Sequence, residues 1–176
     1  MQDLSLHVLD IVENSITAGA KNVEIRVKED LRKDLLVIEI SDDGKGMATE
    51  FAEQAADPFV TTRSERRVGF GLSLFAEAAR MSNGGMTVQS EPQRGTRIRA
   101  TFQHSHIDRQ PLGNIGETLL TLIVGSPQVN FSYFHRKDGM KFSFHSKNLK
   151  TQFKKQAIIS PQDLKVLRKK LQEDFH

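Results

Sequence analysis

The most informative stretch of the chain reads Ile38-Glu39-Ile40-Ser41-Asp42-Asp43-Gly44-Lys45-Gly46-Met47. Its first residues alternate apolar and polar, which is typical of a strand with one buried face. The strand pattern runs into two acids and two glycines, and glycine adopts backbone angles that other residues resist. Such a turn leaves a carboxylate at a strand end beside bare backbone, which suits recognition of a flat polar heterocycle. Asp-Gly turns are also common where the chain simply reverses, so this stretch needs support from elsewhere.

Three other stretches supply that support. Asn14 lies in a helical pattern before the strand, Gly69-Phe70-Gly71-Leu72 opens a helical pattern after it, and Gly95-Thr96 begins a late strand. In this order and at these separations, the stretches resemble the ATP-binding domain shared by gyrase, the heat-shock chaperone, histidine kinases and mismatch-repair MutL, the GHKL superfamily. The resemblance covers residues 4–102 and is that of a stand-alone histidine-kinase-like protein.

Each motif of that superfamily has a counterpart here. The counterparts of its Asn box, first glycine box, phenylalanine box and second glycine box are residues 13–20, residues 42–46, Pro58-Phe59 and residues 69–72. The resemblance implies an α/β fold, a two-layer sandwich of the Bergerat type with helices on one face of a mixed sheet. We expect an ATP-binding domain over residues 1–103 and a small C-terminal appendage over residues 104–176.

Periodicity places the elements of the first domain. Leu4 to Ala18 reads as a helix with an apolar face and a polar face, and the polar face carries His7, Asp10, Asn14 and Thr17. Two alternating segments around Val27 and Ile38 predict a hairpin. The elements expected after it are a short helix from Thr49 to about Ala56, a helix from Gly69 to Met81, and a hairpin over 86–102.

The C-terminal part reads as a helix, a hairpin and a helix. The first helix is expected from Pro111-Leu112 to about Val124, and the hairpin turns at Asp138-Gly139. Ser160-Pro161 predicts the start of the last helix, because serine caps helices and proline suits the first helical position.

The amino-acid composition excludes several classes of function. The 176 residues include no Cys, so disulfides, thiolate chemistry and cysteine metal sites are excluded. No apolar run approaches a membrane span, and a cytoplasmic protein is expected. Residues 1–102 carry 13 Lys/Arg against 16 Asp/Glu, whereas residues 103–176 carry 12 against 6. The basic tail fits a solvated surface or an acidic partner, and no nucleic-acid-binding signature accompanies it.

The resemblance implies roles for the residues of the base site. Asp42 is expected to accept a hydrogen bond from the adenine amino group, with Thr96 supporting that contact. Gly44 and Gly46 would let the backbone approach the base. Guanine presents a carbonyl where adenine presents the amino group, so an ionised Asp42 selects against guanine.

The resemblance also implies the phosphate site. Asn14 is expected to bind Mg²⁺ through its amide oxygen, and hard cations prefer oxygen ligands. Gly69, Gly71 and Leu72 would present backbone amides to the phosphates at a helix N-terminus. Phe59 and a polar lid that contains Thr62 and Arg63 would contact the nucleotide, with Arg66 and Arg67 as alternative phosphate ligands in the same lid.

Asp10 stands where hydrolytic members carry the glutamate that activates water. Aspartate keeps the base chemistry and is one methylene shorter, so it loses reach. Three functions stay open on this basis: a protein kinase acting on a partner, an ATPase switch, and a non-catalytic sensor or structural module. The expected partners are ATP and an unidentified protein or phosphoacceptor. A homodimer stays open, and neither a membrane nor nucleic acid is expected.

Overall fold

The computed structural model describes residues 3–55, 57, 70–152 and 160–173. The strands come in consecutive pairs, with one or two helices before and after each pair. In chain order they are α1 (Leu4–Thr17), β1 (Asn22–Asp30), β2 (Leu35–Asp42), α2 (Thr49–Ala55), α3 (Phe70–Met81), β3 (Gly85–Glu91), β4 (Gly95–Gln103), α4 (Ile115–Gly125), β5 (Asn130–Lys137), β6 (Met140–His145), α5 (Ser146–Gln152) and α6 (Pro161–Glu173).

The strands form a six-stranded sheet in the order β3-β4-β2-β1-β5-β6. Every neighbouring pair is antiparallel except β1 and β5, which run parallel. Alternation along each strand sends one set of side chains into the core, because successive side chains point to opposite faces. Val23, Ile25 and Val27 on β1 and Phe131 and Tyr133 on β5 are members of that set, and all are buried. The predicted two-layer sandwich with a mixed sheet is confirmed.

Helix α1 lies on the buried face of the sheet. Asp3 caps it by accepting a hydrogen bond from the Leu6 amide at 3.2 Å. Its predicted apolar face is confirmed, since Leu4, Val8 and Ile11 are at most 1 % exposed. Ser15 belongs to the same buried face, so the helix carries a hydroxyl group into the core near its C-terminal end.

The predicted polar face of α1 is wrong at one residue. His7 is 2 % exposed, because α3 packs across this part of the helix and brings the Phe75 ring to 5.5 Å. Burial lowers the pKa of His7 and outweighs the opposing effect of its hydrogen bond with Gln110, whose Oε1 lies 3.0 Å from Nε2. His7 is therefore a neutral core residue, and its buried Nδ1 has no hydrogen-bond partner in the described part of the chain.

The residues after β4 add two strands, β5 and β6, to the same sheet. Strand β5 pairs with β1 from Asn22↔Asn130 to Glu29↔Lys137, and helix α4 packs against α1. Helix α4 begins at Ile115, later than predicted, because Gly113 adopts a φ of 77° and Asn114 accepts a hydrogen bond from the Glu117 amide. Helix α5 was not predicted. The division at residue 103 stays a prediction.

Helix α6 begins at Pro161, as Ser160-Pro161 predicts. Ser160 Oγ accepts a hydrogen bond from the Asp163 amide, and Asp163 Oδ2 accepts one from the Ser160 amide. This reciprocal pair is a capping box, with Pro161 at the first helical position. Among the described residues, no helix combines the length and apolarity needed to cross a membrane.

One carboxylate, Glu29, connects β1 with β5 and with the residue after β4. Glu29, at the end of β1, lies 2.8 Å from Nε2 of both His104 and His135, and Lys137 Nζ lies 3.8 Å away. Burial alone would raise the pKa of Glu29. The two histidine hydrogen bonds and the lysine charge outweigh burial, so the pKa lies below its usual value. The ionised carboxylate therefore stabilises the contact of β1 with β5 and with the residue after β4.

We expect Glu29→Gln to lower the free energy of unfolding at pH 7 by about 1–3 kcal/mol, since two hydrogen bonds to a charged group are weakened. A carboxyl whose folded-state pKa is depressed stabilises the fold above its unfolded pKa of about 4.3. That contribution disappears as the pH falls through the lower, folded-state pKa. The difference between wild type and Glu29→Gln in urea denaturation should therefore shrink below about pH 4.

The matched control is Glu24→Gln, which removes a partly exposed carboxylate from the same strand. We expect it to change stability by less than about 1 kcal/mol. A pH-independent difference for Glu29→Gln would show that the carboxylate charge does not stabilise the contact between β1 and β5.

Candidate functional site

Asp42 is the last residue of β2 and lies where three elements meet. It is paired across the sheet with Val23 of β1 and Thr96 of β4. Its Oδ2 accepts a hydrogen bond from Ser15 Oγ at 2.6 Å, and its Oδ1 accepts one from the Gly44 amide at 2.9 Å. The carboxylate is partly exposed and each oxygen keeps a free lone pair, so Asp42 can accept a further hydrogen bond from a ligand.

Ser15 was missed as a site residue, although the sequence contained a signal for it. It falls on the apolar face of the α1 pattern, and a buried hydroxyl requires a hydrogen-bond partner. That partner is Asp42, so α1 holds the carboxylate of the strand end in a fixed orientation.

Ser90 is a second residue that the motif analysis missed. It is 8 % exposed and its Oγ lies 2.8 Å from Thr96 Oγ1. The same oxygen accepts a hydrogen bond from the Met47 amide at 2.9 Å and donates one to the Gly95 carbonyl. Ser90 thus connects the turn after Asp42 with Thr96, which the sequence placed in the site.

Glycines in this turn and at the start of β4 allow close backbone packing. Gly46 has a φ of 64°, and a Cβ there would lie 2.0 Å from the Glu91 carbonyl oxygen. Gly95 has a φ of 88°, and a Cβ there would lie 1.9 Å from the Asp42 carbonyl oxygen. Gly44 packs less tightly, since a Cβ there would lie 3.0 Å from the nearest backbone oxygen. These contacts leave no room for larger residues beneath the turn at Gly46 and Gly95.

The second acid of the turn has a structural role. Asp43 Oδ1 accepts hydrogen bonds from the Lys21 and Asn22 amides, and its Oδ2 accepts one from Asn22 Nδ2. Partial burial would raise the pKa of Asp43, but these hydrogen bonds outweigh it and lower the pKa. Asp43 therefore fixes the start of β1, and Asp42 is the acid of this turn that accepts hydrogen bonds from Ser15 and Gly44.

Asp10 lies against the beginning of α3. A Cβ on Gly71 would lie 1.6 Å from Asp10 Oδ2, so the glycine is required for the carboxylate to sit against the helix. The N-terminus of a helix presents unpaired amides and a partial positive charge. The structure thus brings together two predicted site residues, Asp10 and Gly71, from α1 and α3.

Asn14 lies one turn after Asp10 on α1, and its side chain is exposed. No hydrogen bond to its amide group is seen within the described ranges. Residues four apart on a helix share a face, so the two side chains project toward the same side as the α3 N-terminus. The amide oxygen of Asn14 is the kind of ligand that a hard cation such as Mg²⁺ prefers.

The remaining predicted residues divide into two groups. Leu72 is 5 % exposed and belongs to the core, so only its backbone is available to a ligand. Phe59, Thr62, Arg63 and Gly69, with the alternatives Arg66 and Arg67, lie outside the described residues.

A cavity of about 320 Å³ lies elsewhere, at the opposite end of the sheet from Asp42. It is lined by Lys33, Asp34, Asn83 and Gln103 among others, at the start of β2 and the end of β4. We place the site at Asp42 because the hydrogen-bond acceptors and the close-packed turn are there.

Comparisons with known proteins identify the family. Residues 2–106 match the family model described as "Histidine kinase-, DNA gyrase B-, and HSP90-like ATPase". Over 91 residues the chain is 31% identical to the sensor protein DegM of Bacillus sp. (strain B21-2), covering 52% of this chain and 24% of that protein. Over 99 residues it is 30% identical to the signal transduction histidine-protein kinase ArlS of Staphylococcus aureus (strain USA300), covering 53% and 22%. The chain thus spans about a quarter of the length of these curated relatives.

Solved structures show the same fold. The Aquifex aeolicus MutL ATPase domain complexed with ADP matches with a TM-score of 0.53 and 18% identity, covering 88% of this chain and 70% of that chain. The N-terminal domain of a DNA repair protein matches with a TM-score of 0.51 and 18% identity, covering 81% and 52%. The family model matches more than half of the chain, and the chain belongs to the family of ATPases that resemble histidine kinases, DNA gyrase B and HSP90.

Proposed function

We propose that this chain binds ATP together with Mg²⁺ in the cytoplasm and acts on a partner protein, either as a regulatory kinase or as a slow ATP-gated switch. The observation that carries the proposal is the Asp42 carboxylate, which Ser15 and the Gly44 amide hold at the end of β2. The partner is an unidentified protein or phosphoacceptor, and a homodimer is compatible with the same site.

Asp42 supports selection of adenine. A carboxylate only accepts hydrogen bonds, and the exocyclic group of adenine donates one where guanine presents an acceptor. The Ser15 hydroxyl and the Gly44 amide each donate a hydrogen bond to one oxygen of this carboxylate and hold it in place. The base would therefore meet a charged acceptor with a fixed orientation.

The other end of the site fits phosphate and Mg²⁺. Asn14 would hold the cation through its amide oxygen, and the first amides of α3 would face the phosphates. When bound, Mg²⁺ neutralises phosphate charge and orients the phosphate oxygens. The lid residues Thr62 and Arg63 and the neighbouring Phe59 and Gly69 are part of this proposal by resemblance alone.

Asp10 is the proposed general base. A base for hydrolysis must reach the proton of the attacking water, and Asp10 is short for this purpose. Its contact with Gly71 at the start of α3 keeps it beside the proposed phosphate site. This position is compatible with slow turnover.

A non-catalytic sensor is the second candidate function. The same packing of Asp10 against Gly71 favours it, because a carboxylate engaged with a helix N-terminus stabilises the helix without any reaction. ATP would then order the site and change the affinity for a partner without being consumed.

Incubation of the protein with ATP labelled at the terminal phosphate, with and without cell extract, distinguishes these functions. A labelled partner protein identifies a kinase, and free phosphate from the purified protein identifies an ATPase. Binding of ATP without either product identifies a sensor. Failure to bind ATP at millimolar concentration would contradict the proposal as a whole.

We expect Asp42→Asn to weaken ATP binding by about 10- to 100-fold, because a hydrogen bond to a charged acceptor is worth ~1.5–3 kcal/mol. Ser15→Ala should weaken it by about 3- to 10-fold, since Asp42 keeps both acceptor oxygens and loses only the hydrogen bond that orients it. Isothermal titration calorimetry with ATP and GTP measures both effects, and the preference for ATP should fall most in Asp42→Asn. Asp108→Asn, an exposed change after β4, is the control. ATP affinity unaltered in a folded Asp42→Asn variant would remove Asp42 from the site.

Substitutions of Asp10 and of Asn14 should have different effects on ATP binding and on ATP hydrolysis. Asn14→Ala should weaken Mg·ATP binding, whereas Asp10→Ala should preserve binding and lower phosphate release by about 100-fold or more. Asp10→Glu should restore the missing reach and raise hydrolysis. Equal phosphate release by wild type and Asp10→Ala would rule out Asp10 as a base and favour the sensor.

A further inference from the structure

Strand β6 is an edge of the sheet. The other edge, β3, is packed against by α2, whereas no strand pairs with the outer side of β6 within the described ranges. An open edge presents unpaired amides and carbonyls to any extended chain that approaches it. Natural proteins use this property to bind partner segments as an added strand.

The turn between β5 and β6 determines which backbone groups point outward. Asp138 and Gly139 have φ values of 45° and 89°, as in a two-residue hairpin turn, and Lys137 is paired with Met140. In such a hairpin the residues that flank the turn form a hydrogen-bonded pair, and the pairs alternate along the strands. The amides and carbonyls of Lys141 and Ser143 therefore point away from β5.

Two cations, Arg136 and Lys141, lie on one face of this edge. Arg136 and Lys141 lie directly opposite each other on β5 and β6, and both are exposed. Like charges at opposite positions destabilise a strand pair. Neither side chain forms an ion pair with an acid in the described part of the protein, whereas Lys137, on the opposite face, lies 3.8 Å from Glu29 Oε2. This arrangement favours an anion beside Lys141.

The other face of the same edge is apolar. Met140, Phe142 and Phe144 alternate with the polar positions of β6, and Phe142 and Phe144 pack against the core. Met140 is 69% exposed. A strand added to β6 would place one set of its side chains beside these residues and the other set beside Lys141.

We propose that β6 binds an extended segment of a partner protein in which acidic and apolar residues alternate, and that this segment adds to the sheet as a further strand. Its acidic side chains would neutralise Lys141 and Arg136, and its apolar side chains would cover Met140. A second copy of the chain fits this edge less well, because its β6 brings the same cations. The inference does not depend on ATP binding.

The test uses a fluorescein-labelled peptide of about eight residues in which Glu and Val alternate, the length of an ordinary strand. Fluorescence anisotropy with the full chain should show saturable binding that weakens with salt, whereas the same peptide with Lys in place of Glu should not bind.

Ser143→Pro removes an outward amide without removing a hydrogen bond to β5, and should lower affinity by at least about tenfold. Ser143→Ala retains the amide and should bind as wild type does. Lys141→Glu should abolish binding of the Glu peptide.

A second measurement uses the wild-type protein alone, in case Ser143→Pro does not fold. Peptides N-methylated at either of the two alternating sets of amides are compared. An added strand uses one set, so methylation of that set should abolish binding and methylation of the other should not. Absence of binding to wild type, or equal loss for both methylated sets, would overturn the proposal. Self-association of the wild type that is lost in Ser143→Pro would assign the edge to a second copy and would also overturn it.

Discussion

The hydrogen bond from Ser15 to Asp42 connects the helical layer to the sheet at the point on which the candidate site depends. Ser15 is in the last turn of α1, and Asp42 is the last residue of β2. Ser15 donates to one oxygen of the carboxylate and the Gly44 amide to the other, so both oxygens are held beside the turn that follows Asp42. That turn packs against Glu91 and Gly95 of the hairpin formed by β3 and β4. The elements α1, β2 and β4 are therefore all in contact around Asp42.

The first part of the fold was predicted from the sequence because its signals are local. Alternation identified β1, β2 and β4, and the apolar face of α1 is buried as its periodicity indicates. The pairing of β5 with β1 was not predicted, since parallel pairing depends on which strand lies next to which, and residues that far apart leave no local pattern. Helix α5 was missed because its seven residues show no apolar periodicity. The start of α4 was predicted too early because Pro111 gave a stronger signal than the Asn114 cap.

The sequence predicted the candidate site as a set of motif residues. The structure adds the hydrogen bonds and packing contacts that position these residues. Asp42, Thr96 and the glycines lie together, and Asp10 meets Gly71 across two helices. Ser15 and Ser90 were missed because each sits at a core-facing position, where sequence patterns predict packing and say nothing of the hydrogen bonds that a hydroxyl makes. His7 was assigned to the solvent-exposed face of α1 because helical periodicity does not show that α3 packs over this residue.

The parallel pairing of β1 with β5 has a consequence for how the chain folds during synthesis. The strands β2 and β4 and the helices between them are complete before residue 104, whereas the partner of β1 on its other side is residues 130–137. Contacts between segments so distant in sequence form slowly, because a long loop must close first. A nascent chain therefore exposes the unpaired amides and carbonyls along the outer edge of β1 until β5 leaves the ribosome. Pairing with β5 protects this edge of β1, and β6 then completes the sheet by pairing with β5.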